Sequence, residues 1–267
     1  MLLHFTARRE WMEAAFEQAA GYPSESDSAP ASCIETWSWL LALLMHDSLA
    51  DVDAYLSAAT RLASRQGENT LARHLRTVSA ASSATVLAHR ASMLTGLHPR
   101  QRHGDIVIHT EHRFTRDFLP PPAPRITQAM VDLFRLRARA SVNAATRIAS
   151  YLILLTVHPF RDGNGRTARL LYAADTSAAN APAENLLGLA WLHGERNARF
   201  HLAAKCARAG DFEMLFALRA EAGQRAGHAL REVLHTLHDA LGHADTAAIE
   251  SAARALHARF AHHVRQD

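Results

Sequence analysis

The sequence predicts a mostly α-helical domain interrupted by one short β-hairpin. Three observations carry that expectation. Alanine and leucine dominate, and apolar residues recur at helical spacing along most of the chain. The run Ile106-Val107-Ile108 breaks the pattern: it is β-branched, and Arg113-Phe114-Thr115 follows it after a polar turn. Prolines then cluster in Leu119-Pro120-Pro121-Pro122-Ala123-Pro124, which forces an extended segment and stops any helix.

Taken in order, residues 8–19 read as a first helix, and the stretch from Pro23 to Pro30 as a loop or linker. Ile34–Met45 is apolar enough for a buried helix, and Asp51 suits the N-cap of a helix over Val52–Ser64. Further helices are expected at 69–80 and 84–95. After the hairpin and the prolines, helix resumes over Ile126–Arg139, and an apolar helix follows at Val142–Val157. Leu230, Val233, Leu234, Leu237 and Leu241 repeat at i, i+3, i+4, i+7, i+11, one buried face of a packing helix, and the last helix runs over about 246–264. No internal repeat is visible. A lone hairpin in a helical domain leaves a strand edge exposed, which suits either an ordinary surface hairpin or a site for strand addition by another chain.

Composition narrows the class. With 267 residues, 48% hydrophobic and 21% charged, the chain suits one large globular domain or two small ones, with a real core. Two cysteines, Cys33 and Cys206, cannot build a disulfide framework or a four-ligand zinc site, so a reducing, cytoplasmic setting is expected. The opening MLLHFTARREW turns charged too soon for a signal peptide, although a non-cleaved delivery signal to another cell leaves no trace of this kind. The longest apolar runs, around Trp37–Met45 and Ile148–Val157, are too short for a bilayer, so no membrane partner is expected. Lys+Arg is 29 against Asp+Glu 26, and Lys205 is the only lysine. The arginines are scattered among acids, which reads as a solvated surface and not as a nucleic-acid footprint. Of the 18 histidines, His109 with His112 and His235 with His238 are close in sequence, but no HExxH occurs.

Chemistry concentrates in His158-Pro159-Phe160-Arg161-Asp162-Gly163-Asn164-Gly165-Arg166-Thr167-Ala168-Arg169. Pro159 disfavours helical geometry at His158, so the preceding helix should end there and hold the imidazole at its C-terminus. Gly163-Asn164-Gly165 can adopt positive φ and turn successive backbone N–H groups into one concavity, which binds anions. A new helix at about Gly165–Ala173 adds the positive end of its dipole. Arg166 and Arg169 lie three apart on its first turn and can both address phosphate oxygens. Asp162 beside them suits a magnesium ion shared with phosphates. A neutral imidazole at His158 suits a general base. Any one of these residues also fits a surface loop with a stabilised helix start; their joint presence in one turn does not.

HPFRDGNGRTAR resembles the Fic motif, His-x-Phe-x-Asp/Glu-Gly-Asn-Gly-Arg-x-x-Arg, at every defined position. Gly96 to Arg100, Ile106-Val107-Ile108 and Phe118-Leu119-Pro120-Pro121-Pro122 resemble that family's flap hairpin and the proline run after it. The stretch from Arg199 to Phe216, with Ala209-Gly210-Asp211-Phe212, resembles its closing helices. The likeness covers roughly residues 31 to 220. It implies a Fic-type helical domain with a β-hairpin flap next to the active-site loop, with N-terminal helices over 1–83 and a core over about 84–220; the helical extension over 221–267 has no counterpart in the likeness and rests on its apolar spacing.

The resemblance also implies an activity. Family members with the full motif move AMP from ATP onto a Ser, Thr or Tyr hydroxyl of a target protein and release pyrophosphate. By position, His158 takes the hydroxyl proton. Asp162 holds Mg²⁺ between the α- and β-phosphates. Asn164 and the Gly163 and Gly165 backbone cradle the phosphates, Arg166 contacts the β-phosphate and Arg169 the γ-phosphate. Phe160 anchors the loop. The flap residues Ile106, Val107 and Ile108 clamp a segment of the protein substrate. Gly165 stands where a kinase-like branch carries lysine, which favours AMP transfer over phosphorylation. UMP transfer, phosphorylation and a non-catalytic interaction role are the alternatives at this point.

Many relatives restrain themselves with a helix whose glutamate pairs with the second motif arginine. Glu35, in Ala31-Ser32-Cys33-Ile34-Glu35-Thr36, has the expected location, although Ala31 and Thr36 depart from the consensus. Glu68, in Ser64-Arg65-Gln66-Gly67-Glu68-Asn69, matches the letters, but it lies near the flap and Gly67 weakens a helix by about 1 kcal/mol. Position favours Glu35. A constitutively active chain, or one restrained by a separate inhibitor protein, stays open.

Overall fold

A computed structural model describes residues 8–22, 69–95, 99–108, 118–140, 143–179 and 198–225. Their helices are α1 (Arg9–Ala20), α2 (Asn69–Ser79), α3 (Ala84–Thr95), α4 (Ile126–Arg139), α5 (Ala144–Val157), α6 (Asn164–Ala178), α7 (Ala198–Arg208) and α8 (213–225). The expected helices at 34–45, 52–64, 230–241 and 246–264 lie outside the described residues, as do Glu35 and Glu68.

The helix α5 sits at the centre. Its sequence, AATRIASYLILLTV, is apolar on nearly every side, the pattern of a helix covered all round. It packs against α6, α1 and α4, while α6 packs in turn on α2 and α3. The helix starts at Ala144, two residues later than its apolar run, because Asn143 caps it. The Asn143 side chain accepts from the Thr146 N–H at 2.8 Å, and the Thr146 hydroxyl accepts from the Asn143 N–H at 2.9 Å. The Asn143 amide also donates to the Ala19 carbonyl at 3.0 Å, which ties the start of α5 to the end of α1.

The helix α6 runs to Ala178, five residues past the sequence expectation. Its later residues look polar enough for a loop, but Asp175 and Thr176 are buried with partners. The Thr176 hydroxyl donates to the Tyr172 carbonyl at 2.8 Å, and Asp175 accepts from Ser79 and from Arg137. The turn between α7 and α8 uses Gly210 at φ 102, and the Trp11 indole donates to the Ala207 carbonyl at 2.7 Å.

The expected hairpin is reduced, among the described residues, to its base. Ile108 and Phe118 form one antiparallel bridge, with N–H donors 3.0 and 3.2 Å from the facing carbonyls. The partner is Phe118, at the start of the proline run. Arg113-Phe114-Thr115, the limb the sequence proposed, lies outside the described residues.

Candidate active site

The motif loop spans the gap between the C-terminus of α5 and the N-terminus of α6. His158 ends α5 as its C-cap in the left-handed region, at φ 50 and ψ 59, and its N–H still donates to the Leu154 carbonyl at 2.9 Å. A non-glycine residue there costs on the order of 1–2 kcal/mol, although histidine tolerates it better than most. Pro159 follows and prevents the helix from continuing. The backbone then pairs antiparallel with residues before the flap. Arg102 N–H donates to the Pro159 carbonyl at 3.0 Å, and Arg161 N–H donates to the Arg100 carbonyl at 2.9 Å. Phe160 is 1% exposed and seats the loop in the core.

Gly163 opens α6 at φ 79 and ψ 11, a conformation that suits glycine, and it has no side chain with which to cap the helix. The second motif glycine, Gly165, lies inside the first turn of α6 and not at positive φ. The Asn164 side chain is committed to the loop. Its amide accepts from the Phe160 N–H at 2.9 Å and donates to the Phe160 carbonyl at 2.8 Å. What Asn164 offers an anion is therefore its backbone N–H at the helix start.

The charged residues divide by exposure. Arg169 is 6% exposed and folds back along α6, so that a Cβ built on Gly165 would stand 3.6 Å from its Nη1. Arg166 is half-buried, 3.5 Å from the Asp162 carboxylate, whose side chain is 83% exposed. Asp162 also accepts from the Gly163 N–H at 2.6 Å. The donor set fits a magnesium–polyphosphate group: an uncapped helix N-terminus, a guanidinium held along its first turn and an open carboxylate beside it.

His158 Nδ1 lies 3.4 Å from the Leu155 carbonyl. That contact favours a proton on Nδ1 and leaves Nε2 as the accepting nitrogen. Burial holds the imidazole below its usual range. The Leu155 carbonyl acts in the opposite direction, and the Arg102 charge adds to the lowering. His158 is therefore neutral at pH 7.

The structure brings His158, Asp162, Gly163, Asn164, Gly165, Arg166 and Arg169 into one loop and the helix turns beside it. Of the flap residues, Val107 is exposed at 39%, while Ile106 and Ile108 are half-buried. The sequence reading missed Arg102, which is 2% exposed. Its Nε donates to the His158 carbonyl at 2.8 Å across 56 residues of chain. No local pattern separates it from the nearby Arg100.

A helical domain whose motif loop joins a histidine-capped helix end to an open helix start is the class that fold and site define. Residues 73–174 match the model of the Fic/DOC family, so the chain carries a domain of that family. The match falls within the span from 31 to 220 over which the likeness was read. A search of curated proteins finds no match to this chain. No helix among the described residues is long and apolar enough to cross a membrane.

Proposed function

We propose that this chain is a protein adenylyltransferase, which moves AMP from ATP to a Ser, Thr or Tyr hydroxyl of a target protein. The family domain supports transferase activity in general. The observation that carries the finer reading is the pairing, within one loop, of a neutral, half-buried imidazole with an uncapped helix start backed by Arg169.

In this reading each residue takes one role. His158 Nε2 accepts the proton of the attacking hydroxyl, whose oxygen bonds to the α-phosphorus as pyrophosphate leaves. The N–H groups of Asn164 and Gly165 and the Arg166 and Arg169 guanidinium groups bind the phosphates. Asp162 would hold Mg²⁺, which when bound supplies charge neutralisation on the phosphates. Rate then comes from positioning and charge stabilisation, since nucleotidyl transfer asks little covalent work of the protein. Gly165 supports AMP transfer through the resemblance alone, since a Cβ built there would make an ordinary contact, 3.6 Å from the Arg169 Nη1. In this reading the flap residues Ile106, Val107 and Ile108 receive the target segment, and Glu35 restrains the site by pairing with Arg169.

The test uses purified chain, Mg²⁺ and ATP labelled at the α- or the γ-phosphate, with cell lysate as the target source. Label from the α-position only, increased by Glu35→Gly, is the expected result. Label from γ only makes the protein a kinase. No label from either position refutes AMP transfer, and unchanged activity in Glu35→Gly refutes that restraint.

A further inference from the structure

Arg102 is a charged side chain in a place where charge is costly, and its partners account for it. Besides the His158 carbonyl, it donates from Nη1 to the Gly104 carbonyl at 2.9 Å and from Nη2 to the Pro121 carbonyl and, at 3.4 Å, to the Val157 carbonyl. Two of these carbonyls belong to the end of α5, where orphan acceptors and the negative end of the dipole favour a cation. The other two lie where the flap begins and where it returns. The same junction is closed by Asp105, whose carboxylate accepts from the Ala123 N–H at 3.0 Å. A planar fork with five donors can serve several acceptors at once, whereas a lysine ammonium cannot match that geometry.

The geometry assigns Arg102 as a positioning residue, which locks the catalytic histidine into its left-handed cap and couples that conformation to the seated base of the flap. This rests on His158 being the base. The backbone conformation of His158 is strained, and strain persists only where the surroundings over-determine it. Arg102 supplies that constraint from both sides: its side chain grips the His158 carbonyl, and its own N–H grips Pro159. A flap displaced at Gly104 or Pro121 would release the guanidinium and, with it, the orientation of the imidazole. A target segment that holds the flap base at Gly104 and Pro121 thereby holds the imidazole in its orientation.

Arg102→Met and Arg102→Lys in the full chain test this. The first readout is the His158 imidazole in an NMR pH titration without nucleotide, its signal identified by loss in His158→Gln. Arg102 is the charged neighbour acting on that ring among the described residues. In Arg102→Met the midpoint should move up toward the ordinary imidazole value; in Arg102→Lys, which keeps the charge, it should move less. The second readout is transfer kinetics: both variants should lose about 10–100-fold in kcat, the range for groups that orient a catalytic ligand. KM for nucleotide should stay within about twofold, because the phosphate cradle belongs to α6. A wild-type midpoint and kcat in both variants would overturn the assignment. If neither variant folds, wild type decides: the Arg102 Nε–H should exchange with solvent far more slowly than that of exposed Arg100, and equal rates overturn the claim. A shifted titration in a chain that transfers nothing would sink AMP transfer and leave the role of Arg102 standing.

Discussion

His158 carries two demands at once. It must sit in a conformation that suits glycine, and it must keep its imidazole neutral. Replacing it separates them. His158→Gly should be more stable than His158→Ala by about 1 kcal/mol, because only alanine keeps the left-handed penalty; urea midpoints of the two variants measure this. The depressed pKa also sets a sign. The unfolded chain takes up the proton first, so the contribution of His158 to stability is present above its unfolded value. It is lost as pH falls from about 6.5 through the folded value. A flatter acid side in His158→Gly checks that sign. The residues of this loop were legible because their interactions are local: Pro159, Gly163 and the arginine spacing all act within a turn of chain. The committed side chain of Asn164 was not, since a phosphate-binding role and a loop-clamping role use the same letter. Arg102 was hidden because its acceptors come from three separate segments.

Among the elements, α6 links the site to the rest of the core. Its first turn forms the proposed anion cradle, and its far end is held by Asp175. Arg137 Nη2 donates to that carboxylate at 2.7 Å, with side-chain exposures of 11% and 7%, and the Ser79 hydroxyl donates from α2 at 2.7 Å. Asp175→Ala leaves the Arg137 charge buried, and should destabilise the fold by about 3–5 kcal/mol in urea unfolding. The double variant Asp175→Leu with Arg137→Met should recover most of that loss. A loss below about 1 kcal/mol in the single variant would mean that the pair is solvated. This pairing also explains the missed end of α6: a polar stretch reads as a loop until a partner on another helix compensates it. The helices at 84–95 and 126–139 were legible to the residue, because their apolar faces and flanking prolines are written locally. Pairing at the hairpin base was less so, since β-branched residues mark a strand but not which residue faces it.

At the scale of the whole molecule, the family match at 73–174 covers α2 to most of α6, yet the core extends beyond it. Met12, Ala15, Phe16 and Ala19 of α1 are buried, and α1 packs on α4 and α5. Arg219 of α8 donates from Nε to the Tyr172 hydroxyl at 3.1 Å, so α8 also supports the helix that carries the cradle. The motif and the helical class could be read from the sequence. That the terminal helices brace the site could not, because that bracing joins residues such as Trp11 and Ala207, 196 positions apart. In the proposed division of labour the cradle holds the nucleotide while His158, on a different helix, supplies the base. It is tested most directly by measuring Mg²⁺-ATP binding and the rate of α-label transfer side by side in wild type and His158→Ala. Binding should stay within about twofold of wild type, and transfer should be slower by about 10²–10⁴-fold. Transfer at the wild-type rate in the variant, with binding intact, would contradict it.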